Sequence, residues 1–235
     1  MRSVLSFLTL CALATPALAQ VPDGDVFLSW DGSRISTGRI PEGGTPADVV
    51  PNVHVFSGTL GDPDPRTAND PGLMGIGDTF PVPSSNSLRF RSSLKRWDTA
   101  TLSFPTTGSG DYFRIYLGGV QATTPGSPLP LGNLFTLPVD DATGTPGEWH
   151  HHPFWEINAS APFGIYLSEV DIANSTTNIF SQRFFFIWDY EADPLNPVNN
   201  VQAAYDWTNA NLVPAPGVAA IGAPFLALSL RRRRR

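Results

Sequence analysis

The residues best suited to chemistry lie close together between Glu148 and Glu156, in the run Glu-Trp-His-His-His-Pro-Phe-Trp-Glu. If this run is extended, His150 and His152 project from one face of a strand, about 7 Å apart, and His151 projects from the other. Two imidazoles at that spacing can bind a Zn²⁺-type ion when a third ligand joins them. Glu156 has the same parity and is a possible third ligand, so His150, His152 and Glu156 are the candidate ligands of a zinc site.

Two other interpretations of these histidines stay open. His54, the remaining histidine of the chain, is a more distant candidate for the third ligand. In the other interpretation the histidines bind no metal and are ordinary surface residues beside packed aromatic side chains.

The sequence offers little support for other catalytic chemistry. It has no Gly-x-Ser-x-Gly motif for a serine hydrolase, and its single cysteine, Cys11, lies in a segment that we expect to be removed. Glycoside hydrolysis requires two facing carboxylates about 5 to 9 Å apart, and no motif pairs the glutamates. We therefore predict a non-catalytic protein. A surface protein that binds zinc through His150 and His152 is the alternative, and a glycan-binding module or a glycoside hydrolase is the weaker alternative.

The N-terminus is typical of an exported protein. Arg2 supplies a positive charge, an apolar stretch follows, and Ala17-Leu18-Ala19 is a small-x-small cleavage site. This order predicts that residues 1–19 are a signal peptide removed by signal peptidase.

The C-terminus carries an apolar run, Val218 to Leu230, directly before Arg231 to Arg235. About 20 apolar residues are needed to cross the hydrocarbon core of a bilayer, so this helix is short and favours a transient stay in the inner membrane over a permanent anchor. The arginines hold its end on the cytoplasmic side.

The predicted mature domain is acidic. Of the 15 basic residues, Arg2 and the five C-terminal arginines lie in the predicted removable ends, which leaves nine against 21 acidic residues, a net charge near −12. This sign disfavours nucleic acid, because neutralising phosphates requires a basic surface. We expect the domain at the cell surface or outside the cell, with an extracellular polysaccharide matrix as a candidate partner.

Short apolar runs separated by glycine and proline predict an all-β fold. Asp31-Gly32 is a strong hairpin signal, and Phe184 to Trp188 is apolar on both faces, which indicates a central strand. Residues 20–212 are predicted to be a single antiparallel β-sandwich, jelly-roll-like, that ends in a helix from Pro197 through Asn211. The predicted strands are Asp25 to Trp30, Arg34 to Ile40, Val49 to Phe56, Ser87 to Arg91, Ala100 to Phe104, Asp111 to Leu117, Trp149 to Ile157, Phe163 to Ile172 and Ile179 to Tyr190.

The order of a Pro-x-Pro motif, a short apolar helix and terminal arginines over residues 213–235 resembles the PEP-CTERM sorting signal. This resemblance implies that an exosortase-type transpeptidase recognises the tail and removes it. The usual Pro-Glu-Pro is here Pro-Ala-Pro. The residues that match the signal are Pro214, Ala215, Pro216, Arg231, Arg232, Arg233, Arg234 and Arg235.

Six short motifs are spread over most of the chain: Gly38-Arg39-Ile40, Val55-Phe56, Asp70-Pro71-Gly72, Trp149-His150-x-His152, Gly164-Ile165-Tyr166-Leu167 and Asp206-Trp207. Their order is similar to that in the zinc-uptake-regulator-repressed family of PEP-CTERM surface proteins. This resemblance implies a link to zinc limitation and makes His150 and His152 the expected ligands, although Gly24 stands where the family often has a histidine.

Overall fold

The computed structural model describes residues 21–214 except 22, 78, 83, 107, 128–131, 140–147 and 191–200. The predicted signal peptide (1–19) and the sorting signal from residue 215 onward lie outside the described residues. Within the described part the chain is mostly β structure with a single α-helix, so the prediction of an all-β class is confirmed.

The strands are short, as the frequent glycine and proline residues predict. In chain order they are β1 (Asp25–Trp30), β2 (Ile35–Ile40), β3 (Val50–Pro51), β4 (Val55–Thr59), β5 (Thr67–Ala68), β6 (Leu73–Gly75), β7 (Ser84–Phe90), β8 (Lys95–Arg96), β9 (Phe113–Leu117), β10 (Val120–Thr123), β11 (Leu134–Val139), β12 (Trp149–His151), β13 (Phe154–Ile157), β14 (Gly164–Asn174) and β15 (Phe184–Tyr190). The α-helix is α1 (Val201–Asn211), and a 3-10 turn covers Pro46–Asp48.

The strands form three sheets. The five-stranded sheet has the order β12-β6-β1-β2-β3, and the four-stranded sheet has the order β10-β9-β13-β5. The six-stranded sheet has the order β11-β7-β14-β15-β4, with β8 also paired to β14. Most neighbours are antiparallel, but β1 pairs with β6, and β15 with β4, in parallel. The prediction of a purely antiparallel arrangement is wrong at these two pairings, because the long connections allow crossovers that hairpins do not.

The predicted hairpin at Asp31-Gly32 is confirmed. β1 and β2 pair from Asp25 opposite Ile40 to Trp30 opposite Ile35. The Asp31 carboxylate accepts the N–H of Ser33 at 2.9 Å, which closes the turn locally. This register fixes Asp25 as the first paired residue of the sheet.

One hydrophobic core is shared by all three sheets. Leu28 from the five-stranded sheet, Ile115 from the four-stranded sheet and Phe186 from the six-stranded sheet belong to the same buried cluster. Its centre is aromatic: the rings of Trp155 and Trp188 lie 4.8 Å apart between centroids. Aromatic packing of this kind holds the sheets against one another and stabilises their relative placement.

The strand β15 is central and buried on both faces, as predicted. It pairs with β14 on one side and β4 on the other. Phe184 and Phe186 face the shared core, whereas Phe185 and Ile187 face a second cluster. Residues of α1, including Ala204, cover that second cluster. No helix among the described residues combines the length and apolar character that crossing a bilayer requires.

Two predicted strands are each divided between two sheets. Val49 to Phe56 becomes β3 and β4, with Asn52 in a left-handed conformation between them (φ 58°). Trp149 to Ile157 becomes β12 and β13, which belong to the five-stranded and four-stranded sheets. Pro153 stands at the second break, where it has no N–H to donate to a strand partner.

One further strand prediction is wrong, and several strands were not predicted. Residues 100 to 104 form a turn with one isolated bridge, Asp98 to Ser103. The Asp98 carboxylate accepts the N–H of Ala100 at 2.9 Å, and this local bond competes with strand formation. Strands also form between residues 57 and 86 and between residues 121 and 147, where no strand was predicted, among them β6 and β11.

Replacing Gly58 with alanine should destabilise the protein by about 1–3 kcal/mol, the usual cost of overpacking a core. A Cβ atom at Gly58 would lie 2.6 Å from the Trp188 ring and 2.8 Å from the carbonyl oxygen of Asp70. Gly119→Ala is the matched control, because nothing lies within 4 Å of its added Cβ. Urea denaturation of the two variants measures the difference, and equal midpoints would contradict the packing described for Gly58.

Candidate metal centre

Three side chains that can bind a metal converge at one end of the five-stranded sheet. Asp25 is the first residue of β1 and His150 lies in β12, the two strands that flank β6. His152 follows β12 directly, where the chain turns away at Pro153. The pairings of Val26 with Leu73 and of His150 with Met74 therefore bring residues 125 positions apart in sequence to one place.

The ligand atoms of Asp25, His150 and His152 all lie within 4.8 Å of one another. His150 Nε2 lies 2.9 Å and His152 Nε2 4.0 Å from Asp25 Oδ2. The two imidazole rings lie 4.5 Å apart between centroids. Ligand atoms around a tetrahedral zinc ion are roughly 3.3 Å apart, given bonds near 2.0 Å. The group therefore needs only small side-chain movements to surround such an ion.

Neighbouring groups orient the ligands. The N–H of Gly72 donates to Asp25 Oδ1 at 2.7 Å, which leaves Oδ2 directed at the histidines. His152 Nδ1 lies 3.1 Å from the carbonyl oxygen of Asn69 and 3.0 Å from Asp70 Oδ1. These acceptors favour the tautomer with a proton on Nδ1, and Nε2 of His152 then carries the lone pair for a metal. Metal-binding histidines usually donate the N–H of their other ring nitrogen to a carbonyl or carboxylate oxygen in this way, which fixes the tautomer and the ring orientation.

Gly72 is required by the close approach of the ligands. A Cβ atom there would lie 2.8 Å from Asp25 Oδ1 and 2.9 Å from His152 Cε1. The motif Asp70-Pro71-Gly72 thus supplies a carboxylate beside His152 and the space in which Asp25 and His152 meet.

The electrostatics suit a cation. Burial opposes ionisation of Asp25, but hydrogen bonds from His150 and Gly72 outweigh it and lower the pKa of Asp25 below its ordinary value. The hydrogen bond to Asp25 raises the pKa of His150, although burial opposes that rise. Asp25 is therefore an anion at neutral pH, and a proton on His150 takes the position that a metal would otherwise occupy.

The structure places the predicted ligands in different sheets. His150 and His152 are brought together, whereas Glu156 lies in β13 of the four-stranded sheet and forms an ion pair with Arg114, with Arg114 Nε 3.0 Å from Glu156 Oε2. The proposed role of Glu156 as third ligand is corrected: its parity argument assumed one unbroken strand. His54 lies beside Thr37, with 3.3 Å between Nδ1 and Oγ1, and is not in the group of three.

Asp25 is the candidate ligand that the sequence pattern did not indicate. It was predicted only as the first residue of the strand Asp25 to Trp30. The hairpin prediction fixed its place in β1, but no sequence signal indicated that β12 lies one strand away across β6. Among the glutamates that could serve in glycoside hydrolysis, Glu42 and Glu148 line a cleft beside the candidate metal centre, whereas Glu156 and Glu169 form ion pairs with arginines.

Similarity to known proteins assigns neither a family nor a function to this chain. Comparison of the chain with protein-family models, with curated proteins and with solved structures finds no match. Function is therefore inferred from the geometry of the site and from the sequence.

Metal affinity should fall as the pH is lowered from 7.5 to 6. Because the pKa of His150 is raised above its ordinary value of 6.5, protons compete for Nε2 already above pH 6.5. For each proton that the metal must displace from a ligand, the metal affinity falls by up to about tenfold per unit decrease in pH. Competition with a chromophoric chelator at constant ionic strength measures this, and an affinity that is flat over the range would contradict His150 as a ligand.

Proposed function

We propose that this protein is an exported surface protein that binds a divalent transition metal through Asp25, His150 and His152, and that the metal is zinc. The convergence of these three ligand atoms within 4.8 Å carries the proposal. Two imidazoles and one carboxylate are a common donor set for zinc in sites with three protein ligands. The resemblance of the sequence to zinc-repressed surface proteins supports the same metal.

The β-sheet domain is proposed to serve as a non-catalytic scaffold for this site. The six-stranded sheet shares its core with the two other sheets, which supports a sandwich-like layering of jelly-roll type. Asp25 and His150 sit on two strands of this scaffold, β1 and β12, that each pair with β6. Ligands held by rigid sheet backbone keep their geometry better than ligands on loops.

Zinc titration of the full chain tests the metal proposal. We expect one zinc ion per chain at pH 7.5, and a loss of affinity of about 100-fold or more in Asp25→Ala, His150→Ala and His152→Ala, because each removes one of three ligands. His151→Ala and Glu156→Gln are the controls. His151 lies between the two ligands in sequence and Glu156 is paired with Arg114, so both variants should bind zinc as the unchanged protein does.

The result would go against the proposal in two cases. One is an unchanged protein that takes up no zinc in calorimetry at neutral pH. The other is a loss of affinity in Glu156→Gln equal to that in His150→Ala, which would support the ligand set predicted from sequence. Circular dichroism of every variant separates loss of a ligand from loss of the fold.

Export and sorting are proposed from the two ends of the sequence. Signal peptidase would remove residues 1–19, and an exosortase-type enzyme would act at Pro214-Ala215-Pro216 while the apolar segment sits transiently in the inner membrane. The mature chain would then reach the cell surface or the extracellular polysaccharide matrix. The acidic composition of the domain suits an exposed, soluble surface in that setting.

Mass spectrometry of the protein recovered from its own cells should find a chain without residues 1–19 and without the arginine cluster. Deleting Arg231 to Arg235 should let an uncleaved, tail-bearing form pass through the inner membrane and leave the membrane fraction, because the arginines no longer hold the end of the chain on the cytoplasmic side. Replacing Arg183 and Arg34 instead controls for the loss of positive charge. Recovery of the full-length chain from the cytosol would contradict the proposal.

A further inference from the structure

The metal centre opens into a large cleft. The cleft has a volume of about 1070 Å³, and Asp25, His150 and His152 form part of its wall. The side chains of His150 and His152 are 42% and 40% exposed, whereas that of Asp25 is 19% exposed. The imidazoles therefore face solvent within the cleft, and the carboxylate forms the inner side of the centre.

The protein side of the centre is filled. Gly72 packs against both Asp25 and His152 so closely that a Cβ atom does not fit. The carbonyl oxygen of Asn69 and the carboxylate of Asp70 lie against His152 Nδ1. Asp70 is not in the group whose ligand atoms lie within 4.8 Å of one another. A tetrahedral ion with three protein ligands keeps one further position, and here that position faces the cleft.

The cleft around this position is acidic. Besides Asp25, its described lining contains six carboxylates and no lysine or arginine; the six are Asp23, Glu42, Asp62, Asp70, Glu148 and Asp189. A zinc ion bound by one aspartate has a net charge of +1. The six other carboxylates of the cleft carry more negative charge than this, so the cleft stays negative when the metal is bound. Clefts lined by charge of one sign attract counter-ions and repel ions of the same sign.

We propose that the bound metal keeps an exchangeable coordination position, open to the cleft, that accepts neutral nitrogen donors such as imidazole and disfavours anions. This inference rests on the proposed metal binding. In a centre of this kind a neutral donor can bind the metal while the protein still holds it. The metal can then pass to the donor through this ternary complex of protein, metal and donor. A closed site with four protein ligands has no such route and is typical of structural zinc.

The full chain loaded with Co²⁺ tests the proposal, because the visible spectrum of Co²⁺ reports its ligands directly. Addition of imidazole should change the spectrum and saturate at millimolar concentration. Azide should bind weakly, and the triple variant Glu42→Gln, Asp62→Asn, Glu148→Gln should bind azide about 3- to 10-fold more tightly because three repelling charges are removed. The affinity for imidazole should change less than about twofold.

Asp206→Asn is the matched control. It removes one carboxylate from the exposed surface of α1, outside the residues that line the cleft. The azide affinity of this variant should equal that of the unchanged protein. An equal rise in Asp206→Asn and in the triple variant would overturn the role given to the cleft carboxylates.

Failure of this proposal and failure of metal binding are distinguishable. If the chain takes up no Co²⁺, the metal site itself is refuted. If it binds one Co²⁺ and neither imidazole nor azide alters the spectrum, the metal site stands and the open position is refuted. A spectrum that responds to imidazole only in Asp70→Asn would likewise refute it, because Asp70 would then be a fourth protein ligand.

Discussion

The insertion of β6 between β1 and β12 is the constraint on which the candidate metal centre depends. β6 is three residues long and has a glycine at its end and another just before it. Gly72 allows Asp25 and His152 to approach, and a Cβ at Gly75 would lie 2.5 Å from Nε1 of Trp149. Trp149 can therefore pack in the core directly beside His150, and the backbone at both ends of β6 sets the spacing of the ligands.

The parts of the fold that were predictable are those with local signals. Asp31-Gly32 determines a turn within four residues, and the two-sided apolar character of Phe184 to Trp188 identifies a strand with neighbours on both sides. The division of Val49 to Phe56 between two sheets was not predictable in the same way. Both halves have strand character, and only the shared core decides which sheet each half joins.

Two of the three candidate ligands could be predicted from the sequence. His150 and His152 were found because their spacing is local. Glu156 was chosen because parity along a strand puts it on their face, and the break at Pro153 removes that relation. Asp25 was missed because its proximity depends on a strand order, β12-β6-β1, in which one pairing is parallel and none follows from a hairpin between these strands. Long-range pairing has no period that a single sequence can show.

The separation of Asp25 and His150 by 125 residues has a consequence for the proposed metal binding if the chain is exported as proposed. A chain threaded through a translocation channel in extended form would have its carboxylate and its imidazoles many nanometres apart. Such a chain could not carry cytoplasmic zinc through the channel at this site. The proposed site would take up metal only after the sheets have assembled, from the metal that the outer compartment supplies.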